Sequence, residues 1–313
     1  MKIGFLYIAL LFCLPIGVLG QQLPLYTQSN FNNFGVNPAF AGSSECVDIR
    51  LGYRSQWVGF EGNPTTAFVN GHGKIPRKRN SMKSSFFGIG GRIFNDAAGP
   101  FNFIQLELAA AYHVKLGINL YGSVGVFAGI IQNRFDVSGL TLTNFNDPAI
   151  NGSSASIVYP AITPGFLIYN STFYLGFSIQ NIVNIKLPEV GIETRTARHY
   201  IIKGAKSFML SDRAELVPSV VFRYAYNSPV AYDLNLIYDL DHKYQFGLSY
   251  RNQNAIAALV NFKLFNMISL GYSFDYTINN INYGTYGSHE IILGFNTCDL
   301  GDGDSKVRCA AFD

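Results

Sequence analysis

Apolar and polar residues alternate over long stretches of the chain. Between residues 243 and 251, and again between 266 and 277, every second residue is apolar, and the residues between them are mostly polar or glycine. The same pattern recurs at 173–180 and 232–239. Because successive side chains of a strand point to opposite faces, a period of two predicts β-strands. We therefore expect an all-β protein.

Two all-β architectures use this alternation. A soluble sandwich packs its apolar face on a second sheet, whereas a transmembrane barrel exposes that face to lipid. The predicted strands are longer than the roughly 5 or 6 residues common in soluble sheets. Aromatic residues cluster at strand ends, and the polar face carries Asp, Arg, Asn and Gln. These features favour a transmembrane antiparallel β-barrel.

The pattern predicts about 14 strands. Their expected bounds are 47–57, 64–74, 84–94, 101–116, 118–132, 160–169, 172–180, 198–208, 214–224, 229–238, 243–251, 255–263, 266–277 and 286–295. An even count places both ends of the barrel on one side of the membrane. The longer connections, such as 133–159 and 181–197, then fall on the other side. Long outer loops and short periplasmic turns are typical of bacterial outer-membrane barrels, so both termini are expected in the periplasm.

The first residues have the pattern of a secretory signal peptide. Lys2 precedes an apolar run that ends before Pro15, and the small residue Gly20 marks a cleavage site. The run is shorter than the roughly 20 apolar residues that a membrane-spanning helix needs. The predicted organisation is a cleaved signal peptide at 1–20, an N-terminal periplasmic or lumen-proximal segment at 21–46, a barrel at 47–295, and a polar, cysteine-containing periplasmic tail at 296–313.

Composition and motif spacing narrow the function classes. Charged residues make up 14% of the chain, and 23 Lys and Arg nearly balance 20 Asp and Glu, unlike the basic field that drives nucleic-acid binding. The five histidines show no metal-ligand spacing. Ser288 and His289 are neighbours on one predicted strand, so their side chains point to opposite faces and cannot readily form a nucleophile–base pair. We expect no enzyme, no metal and no cofactor.

Three cysteines follow the predicted cleavage site: Cys46, Cys298 and Cys309. An exported chain enters an oxidising compartment, where disulfides form and persist. We predict a disulfide between Cys298 and Cys309 in the tail, which leaves Cys46 free or paired with one of them.

Several sequence blocks together resemble one family. Residues 37–42 read NPAFAG and residues 53–64 read YRSQWVGFEGNP. Further blocks are NDAAGP at 95–100, GYSFD at 271–275 and SHEI at 288–291. In this order they resemble the PorP/SprF family of Bacteroidetes outer-membrane proteins. The resemblance covers nearly the whole predicted mature chain, and the tail after Phe295 goes beyond it.

The resemblance implies a role in protein export. Members of this family are associated with the type IX secretion system and, in gliding bacteria, with delivery or surface retention of large adhesins, and they have no known catalysis. It implies an outer-membrane barrel whose partners are type IX components, in the periplasmic ring or translocon, or a large secreted adhesin, besides lipid. The competing function is a diffusion channel or a hydrophobic-solute transporter.

Two segments are candidates for partner contact. Their residues are Trp57, Phe60, Glu61, Arg77, Lys78 and Arg79. The first three lie together on a predicted outer loop, although such aromatics are also typical of a membrane-interface girdle. The last three form a basic run in the predicted periplasmic connection between the second and third strands. That run suits either a periplasmic partner or acidic lipid head groups, or it is a solvated turn.

Overall fold

The structure is a computed structural model that describes residues 26–44, 46–76, 85–136, 154–186, 195–226, 228–264 and 267–297. The predicted signal peptide at 1–20 and nearly all of the predicted tail at 296–313 lie outside these residues. The described residues contain no helix that is long and apolar enough to cross a membrane.

The described chain forms one antiparallel sheet that closes on itself. Its strands are β1 (Asp48–Ser55), β2 (Thr65–Lys74), β3 (Ser85–Ala98), β4 (Phe101–Lys115), β5 (Tyr121–Phe135), β6 (Ala155–Tyr169), β7 (Phe173–Gln180), β8 (His199–Lys206), β9 (Phe208–Ser211), β10 (Ala214–Ala225), β11 (Ala231–Leu240), β12 (Tyr244–Arg251), β13 (Ala255–Leu264), β14 (Ile268–Thr277) and β15 (Ser288–Asn296). Strands that are neighbours in sequence pair with each other, except that β8 and β9 both pair with β10, and β15 pairs with β1, which closes the barrel.

The fifteen strand segments make fourteen barrel strands, because β8 and β9 are two parts of one. The interruption is at Ser207, whose N–H donates to the carbonyl oxygen of Thr172 at 2.7 Å. Both β8 and β9 pair with β10 in one continuous register, which shifts only near the end of β9, between Glu215 and Ala214. The predicted all-β barrel of about 14 strands is confirmed. The predicted strand 198–208 is interrupted at Ser207 and continues as β9, whose four residues are all exposed.

Alternation along each strand decides which side chains face outward. In β12, Phe246 and Leu248 are exposed, whereas Gln245 and Ser249 on either side of them are buried. The other long strands repeat this arrangement. Buried polar and exposed apolar side chains are the reverse of the usual soluble pattern, and they are typical of a barrel with a lipid-facing exterior and a polar lumen.

The connections sort onto two sides of the barrel. One side, here called the loop side, carries the connections around 56–64, 99–100, 136–154, 181–198, 226–230, 252–254 and 278–287. The other, the turn side, carries those around 75–84, 116–120, 170–172, 212–213, 241–243 and 265–267, together with the start of β1 and the end of β15.

Residues 26–44, here called the plug, lie inside the barrel. The plug starts beside the loop-side ends of β14 and β15, where Thr27 contacts Asp275 and Glu290. It passes through two short 3-10 turns and leaves at the turn side, next to the start of β1. Almost every plug residue is buried. This plug belongs to the segment 21–46, for which the sequence predicted a periplasmic or lumen-proximal position.

Cys46, just after the plug, is disulfide-bonded, and its partner lies outside the described residues, as do Cys298 and Cys309. The pairing of β1 with β15 continues past the strand ends, because Thr297 N–H donates to the Val47 carbonyl oxygen at 3.1 Å. Since Asp48 is opposite Asn296, continuing this register by two residues would set position 46 opposite position 298. We therefore expect Cys46 to pair with Cys298.

Peptide mapping of the unreduced protein measures this pairing directly. We expect a linked peptide pair containing Cys46 and Cys298, with Cys309 recovered as a free or separately modified thiol. The pairing predicted from sequence, Cys298 with Cys309, excludes this one. A linked peptide of that second kind, with Cys46 joined elsewhere, would show that the register does not continue to position 298.

Candidate functional site

The plug is fastened near the turn side by a capped turn. Asn37 caps the short helix Pro38–Phe40, where its Oδ1 accepts the Ala39 N–H at 2.9 Å. Asparagine is a favoured cap, and proline loses no hydrogen bond at the first helical position. The Asn37 Nδ2 group donates to the carbonyl oxygens of Phe166 and Phe177, at 3.0 and 3.3 Å. One side chain therefore shapes the plug and ties it to the wall.

Glycines in the wall give the plug backbone room to approach. A Cβ on Gly88 would lie 1.9 Å from the carbonyl oxygen of Ala41, and a Cβ on Gly125 would lie 2.7 Å from the Ala39 nitrogen. Neither space admits a side chain, so only glycine fits. Gly88 and Gly125 thus allow close backbone contact between the wall and the plug.

Two buried histidines bind the next part of the plug. His113 Nε2 lies 2.8 Å from the Ala41 carbonyl oxygen, and its Nδ1 lies 2.8 Å from the Tyr169 hydroxyl. The Gly42 N–H donates to His72 Nδ1 at 3.2 Å. Buried backbone groups need such partners. These histidines therefore fix the plug where it leaves the lumen.

A charged cluster holds the opposite end of the plug. Arg54 Nη2 lies 2.7 Å from Asp275 Oδ2, and its Nη1 lies 3.2 Å from Glu290 Oε2. The Thr27 hydroxyl donates to Asp275 at 2.7 Å and accepts from Arg54 at 2.6 Å. All three charged side chains are buried. We call Arg54, Asp275 and Glu290 the loop-side charge cluster.

Glu290 also binds the plug backbone directly. Its two carboxylate oxygens accept the N–H groups of Thr27 and Gln28, at 2.8 and 3.0 Å. The side-chain amide Nε2 of Gln28 donates back to the backbone carbonyl oxygen of Glu290 at 3.0 Å. A carboxylate that accepts two successive backbone N–H groups makes strong, charge-assisted bonds. Because the cluster residues come from β1, β14 and β15, the plug is held where the barrel closes.

Charged residues next to the loop-side charge cluster balance its net charge. Arg251 lies 3.4 Å from both Asp275 and Asp233, and Asp233 forms a second ion pair with Arg223. Three arginines therefore face three carboxylates on the wall, and the plug adds only neutral groups there. Balanced, hydrogen-bonded charges are tolerated inside a protein, whereas an unpaired one is costly.

The middle of the lumen holds two further cations. Arg92 Nε lies 2.6 Å from Glu107, and its guanidinium lies 4.1 Å from the ring centre of Phe127. Arg92 also donates to the plug at the Gly35 carbonyl oxygen. Lys203 Nζ donates to the Ser29 carbonyl oxygen and to Asn33 Oδ1, at 2.6 Å each. Hydrogen bonds from three heights of the wall thus keep the lumen filled.

Outside the lumen, neighbouring connections on the loop side join into one surface. The Val58 N–H donates to the Gly287 carbonyl oxygen at 2.9 Å, and the Tyr286 N–H donates back to Val58 at 2.7 Å. Gly99 N–H donates to the Gly62 carbonyl oxygen at 3.0 Å. The connections 56–64, 99–100 and 278–287 are therefore hydrogen-bonded together.

This surface carries exposed aromatic rings. Phe60 is 41% exposed, Tyr286 78% and Tyr283 97%. We call these three residues the loop-side aromatic patch. Phe60 lies against Gly284, where a Cβ would come within 2.7 Å of its ring. Backbone hydrogen bonds fix the two connections that carry these residues, and the rings remain exposed.

The residues predicted for partner contact are only partly brought together. Trp57 lies at the start of the same loop, with a φ of 54° and its N–H donating to the Ser288 hydroxyl at 3.0 Å. Phe60 and Glu61 are exposed on that loop. The other predicted residues lie outside the described residues: Arg77, Lys78, Arg79, Cys298 and Cys309. Ser288 and His289 do point to opposite faces, since the His289 ring lies 2.8 Å from the Tyr272 hydroxyl instead.

The charge cluster was missed at the sequence level, although the signal was present. Arg54, Asp275 and Glu290 all lie on predicted inward faces near strand ends, in the first and the last two strands. Closing a barrel makes those strands neighbours. They also belong to three of the blocks that carry the family resemblance, at 53–64, 271–275 and 288–291.

Comparison with known proteins gives a family and a fold. The family model described as "Type IX secretion system membrane protein PorP/SprF" matches residues 18–295. A sequence comparison with curated proteins gives no significant match. Among solved structures, the toluene transporter TbuX of Ralstonia pickettii is similar, with a TM-score of 0.50 and 10% identity over 89% of this chain and 95% of that one. The CymD monoaromatic hydrocarbon channel is similar, with a TM-score of 0.50 and 10% identity over 89% and 94%. At this identity the likeness concerns the fold.

Proposed function

Because the chain belongs to the PorP/SprF family of type IX secretion system membrane proteins, we propose that it is a non-catalytic outer-membrane partner that binds a secreted protein, such as a gliding adhesin, at its loop side. The family and the barrel with its apolar exterior support a location in the outer membrane. In this proposal the loop side faces outward and the turn side faces the periplasm. Type IX ring or translocon components are the proposed partners at the turn side.

The plug is the observation that carries this proposal. Residues 26–44 fill the lumen and are bonded to the wall from the loop-side charge cluster to the histidines near the turn side. A polypeptide has no free passage through such a barrel, so contact with a secreted protein is expected on its outer surfaces. The plug also argues against a permanently open diffusion channel, the competing function.

The loop-side aromatic patch is the proposed contact surface. Aromatic side chains bury a large area on binding and are enriched among residues that dominate interface energies. Glu61 lies beside the patch and adds a charge at its rim. Three exposed rings on hydrogen-bonded loops offer a surface that needs little ordering when a partner binds.

Replacing all three patch residues by alanine tests this contact. We expect the Phe60→Ala/Tyr283→Ala/Tyr286→Ala variant to fold and to lose most of the secreted protein that co-purifies with the wild type from native outer membrane. Tyr226→Ala is the matched control, because Tyr226 is as exposed as Tyr286, at 78%, and lies at another loop-side connection. Recovery of the secreted partner in wild-type amounts with the triple variant would remove the patch as the contact site.

The orientation in the membrane is tested separately. Cysteines introduced at Tyr283 on the loop side and at Lys243 on the turn side report which face is accessible. In intact cells, we expect a membrane-impermeant maleimide to label Tyr283→Cys and not Lys243→Cys, whereas both should react after the outer membrane is permeabilised. Labelling of Lys243→Cys alone in intact cells would invert the proposed orientation.

A further inference from the structure

The two described ends of the connection between β7 and β8 pair with each other on the loop side. Lys186 and Arg195 are opposite each other in an antiparallel bridge, and the Thr196 N–H donates to the Ile185 carbonyl oxygen at 2.9 Å. Ile185 packs against the buried apolar cluster that contains Tyr159. We call residues 182–186 and 195–198 the basic hairpin. One face of the basic hairpin is therefore fixed to the barrel wall.

The exposed residues of the basic hairpin include three cations. Lys186, Arg195 and Arg198 are all exposed. Arg195 Nη1 donates to Asn184 Oδ1 at 3.3 Å, and Arg198 Nε donates to the Ile182 carbonyl oxygen at 3.0 Å. Both acceptors are neutral, and within the described residues none of the three cations forms an ion pair. These contacts position two guanidinium groups without neutralising them.

Two of these cations are neighbours across the bridge. In an antiparallel pair, the Cβ atoms of opposite residues lie about 4.5–5.5 Å apart, and like charges at opposite positions destabilise the pair. Lys186 and Arg195 occupy such positions. An anion bound between them would attract both cations and offset their mutual repulsion. An anionic ligand would therefore stabilise the basic hairpin.

The basic hairpin lies next to the outward-facing aromatic rings of β8 and β10. Tyr200 and Tyr224 are register partners, and their ring centres lie 6.1 Å apart. Further toward the turn side, the partners Ile202 and Phe222 are exposed on the same outer face. Aromatic girdles mark the membrane interface of a β-barrel. Because Arg198 is two residues beyond Tyr200 toward the loop side, it lies near the level of the lipid head groups.

We propose that the basic hairpin binds the phosphate group of a lipid head group, while the acyl chains of that lipid lie along the apolar outer face of β8 and β10. Arginine suits phosphate because its planar guanidinium group can donate two parallel hydrogen bonds. The Nη groups of Arg198 have no partner in the described chain and are available for such bonds. In the proposed orientation the loop side faces outward, so the ligand is a phosphorylated glycolipid of the outer leaflet. This site is separate from the loop-side aromatic patch and goes beyond the proposed binding of a secreted protein.

Lipid binding to the purified full-length protein tests this site. Bisphosphorylated lipid A and the same lipid without its phosphates are titrated in a non-ionic detergent, and bound lipid is counted by native mass spectrometry. We expect the wild type to prefer the phosphorylated lipid. The Lys186→Gln/Arg195→Gln/Arg198→Gln variant should bind the phosphorylated lipid about tenfold more weakly, while its binding of the dephosphorylated lipid changes little.

The matched control removes three exposed cations from the turn side, in the variant Lys115→Gln/Lys206→Gln/Lys243→Gln. It should bind both lipids as the wild type does. An equal loss in both triple variants would mean that net charge alone decides binding, and it would overturn the local site. Inorganic phosphate at millimolar concentration should not displace the lipid. Displacement by free phosphate would overturn the lipid as the source of the phosphate group.

Two further results would contradict the proposal. One is equal affinity of the wild type and the hairpin variant for phosphorylated lipid A. The other concerns Glu189 and Glu193, which belong to the same connection but lie outside the described residues. If they neutralised the three cations, the wild type would show no preference for the phosphorylated lipid, and the proposal would be overturned. Both triple variants keep the loop-side aromatic patch, so capture of a secreted protein is a separate measurement.

Discussion

Gly88→Val is expected to displace the plug and to convert a closed barrel into a conducting one. The valine Cβ would lie 1.9 Å from the Ala41 carbonyl oxygen and 2.7 Å from the Gly42 Cα, so the backbone of the plug must move. The Ala41 and Gly42 bonds to the two histidines would be lost with it. We expect wild-type protein in planar bilayers to be closed or to leak weakly, and the variant to show stable single-channel steps.

Gly204→Val is the matched control for this change. Gly204 also lies in a strand, but a Cβ there meets only ordinary contacts, at 3.4 Å from Leu175 Cδ1. It should therefore keep the low conductance of the wild type. A correctly folded Gly88→Val barrel with wild-type conductance would show that the plug does not close the lumen. Steady, solute-selective flux through the wild type would favour the channel function over the secretion-partner function.

Arg54→Met is expected to cost about 3–5 kcal/mol in the free energy of unfolding, the usual penalty for removing one partner of a buried ion pair. Arg54 is 2% exposed and bonds Asp275, Glu290 and Thr27 together. Methionine keeps most of the volume of the arginine side chain but leaves two buried carboxylates with less positive charge near them. The measurement is the denaturant midpoint of the barrel in detergent. Unfolding is monitored by the shift between the folded and unfolded bands on electrophoresis.

Two further variants separate charge from packing. Arg134→Met removes an ion pair with Asp136 that is largely exposed, so it should change stability by about 1 kcal/mol or less. In the double variant Arg54→Met/Glu290→Gln, one uncompensated carboxylate is neutral, so the combined loss should be smaller than the sum of the single losses. Strict additivity would mean that the cluster does not act as one unit.

The strands were predictable because the membrane imposes a simple rule on them. A residue such as Leu248 must face lipid and its neighbour Ser249 must face the lumen. Each strand therefore shows this alternation in its own sequence, whatever the rest of the chain does. The break at Ser207 was not predictable, because it depends on where the β6–β7 connection ends and allows Thr172 to accept the Ser207 N–H.

The sequence showed the plug and the wall residues that hold it only as parts of the blocks that carry the family resemblance, and it did not predict their contacts. Asn37 acquires its role from the carbonyl oxygens of Phe166 and Phe177, which lie more than a hundred residues away in sequence. The meeting of Glu290 with Thr27 likewise depends on barrel closure and on how far the plug reaches into the lumen. Alternation predicts which face a residue occupies, but it does not predict which inward residues lie at the same height.

The plug is covalently continuous with β1 at the turn side, and this sets how far it would extend if it left the lumen. Its residues run from 26 to 44, and a fully extended chain spans at most roughly 3.3–3.6 Å per residue. The released segment would therefore measure about 65 Å, roughly twice the 30 Å thickness of a bilayer's hydrocarbon core. If the plug were pulled out at the turn side, residues 26–44 would stay attached to β1 and could reach partners well beyond the membrane surface.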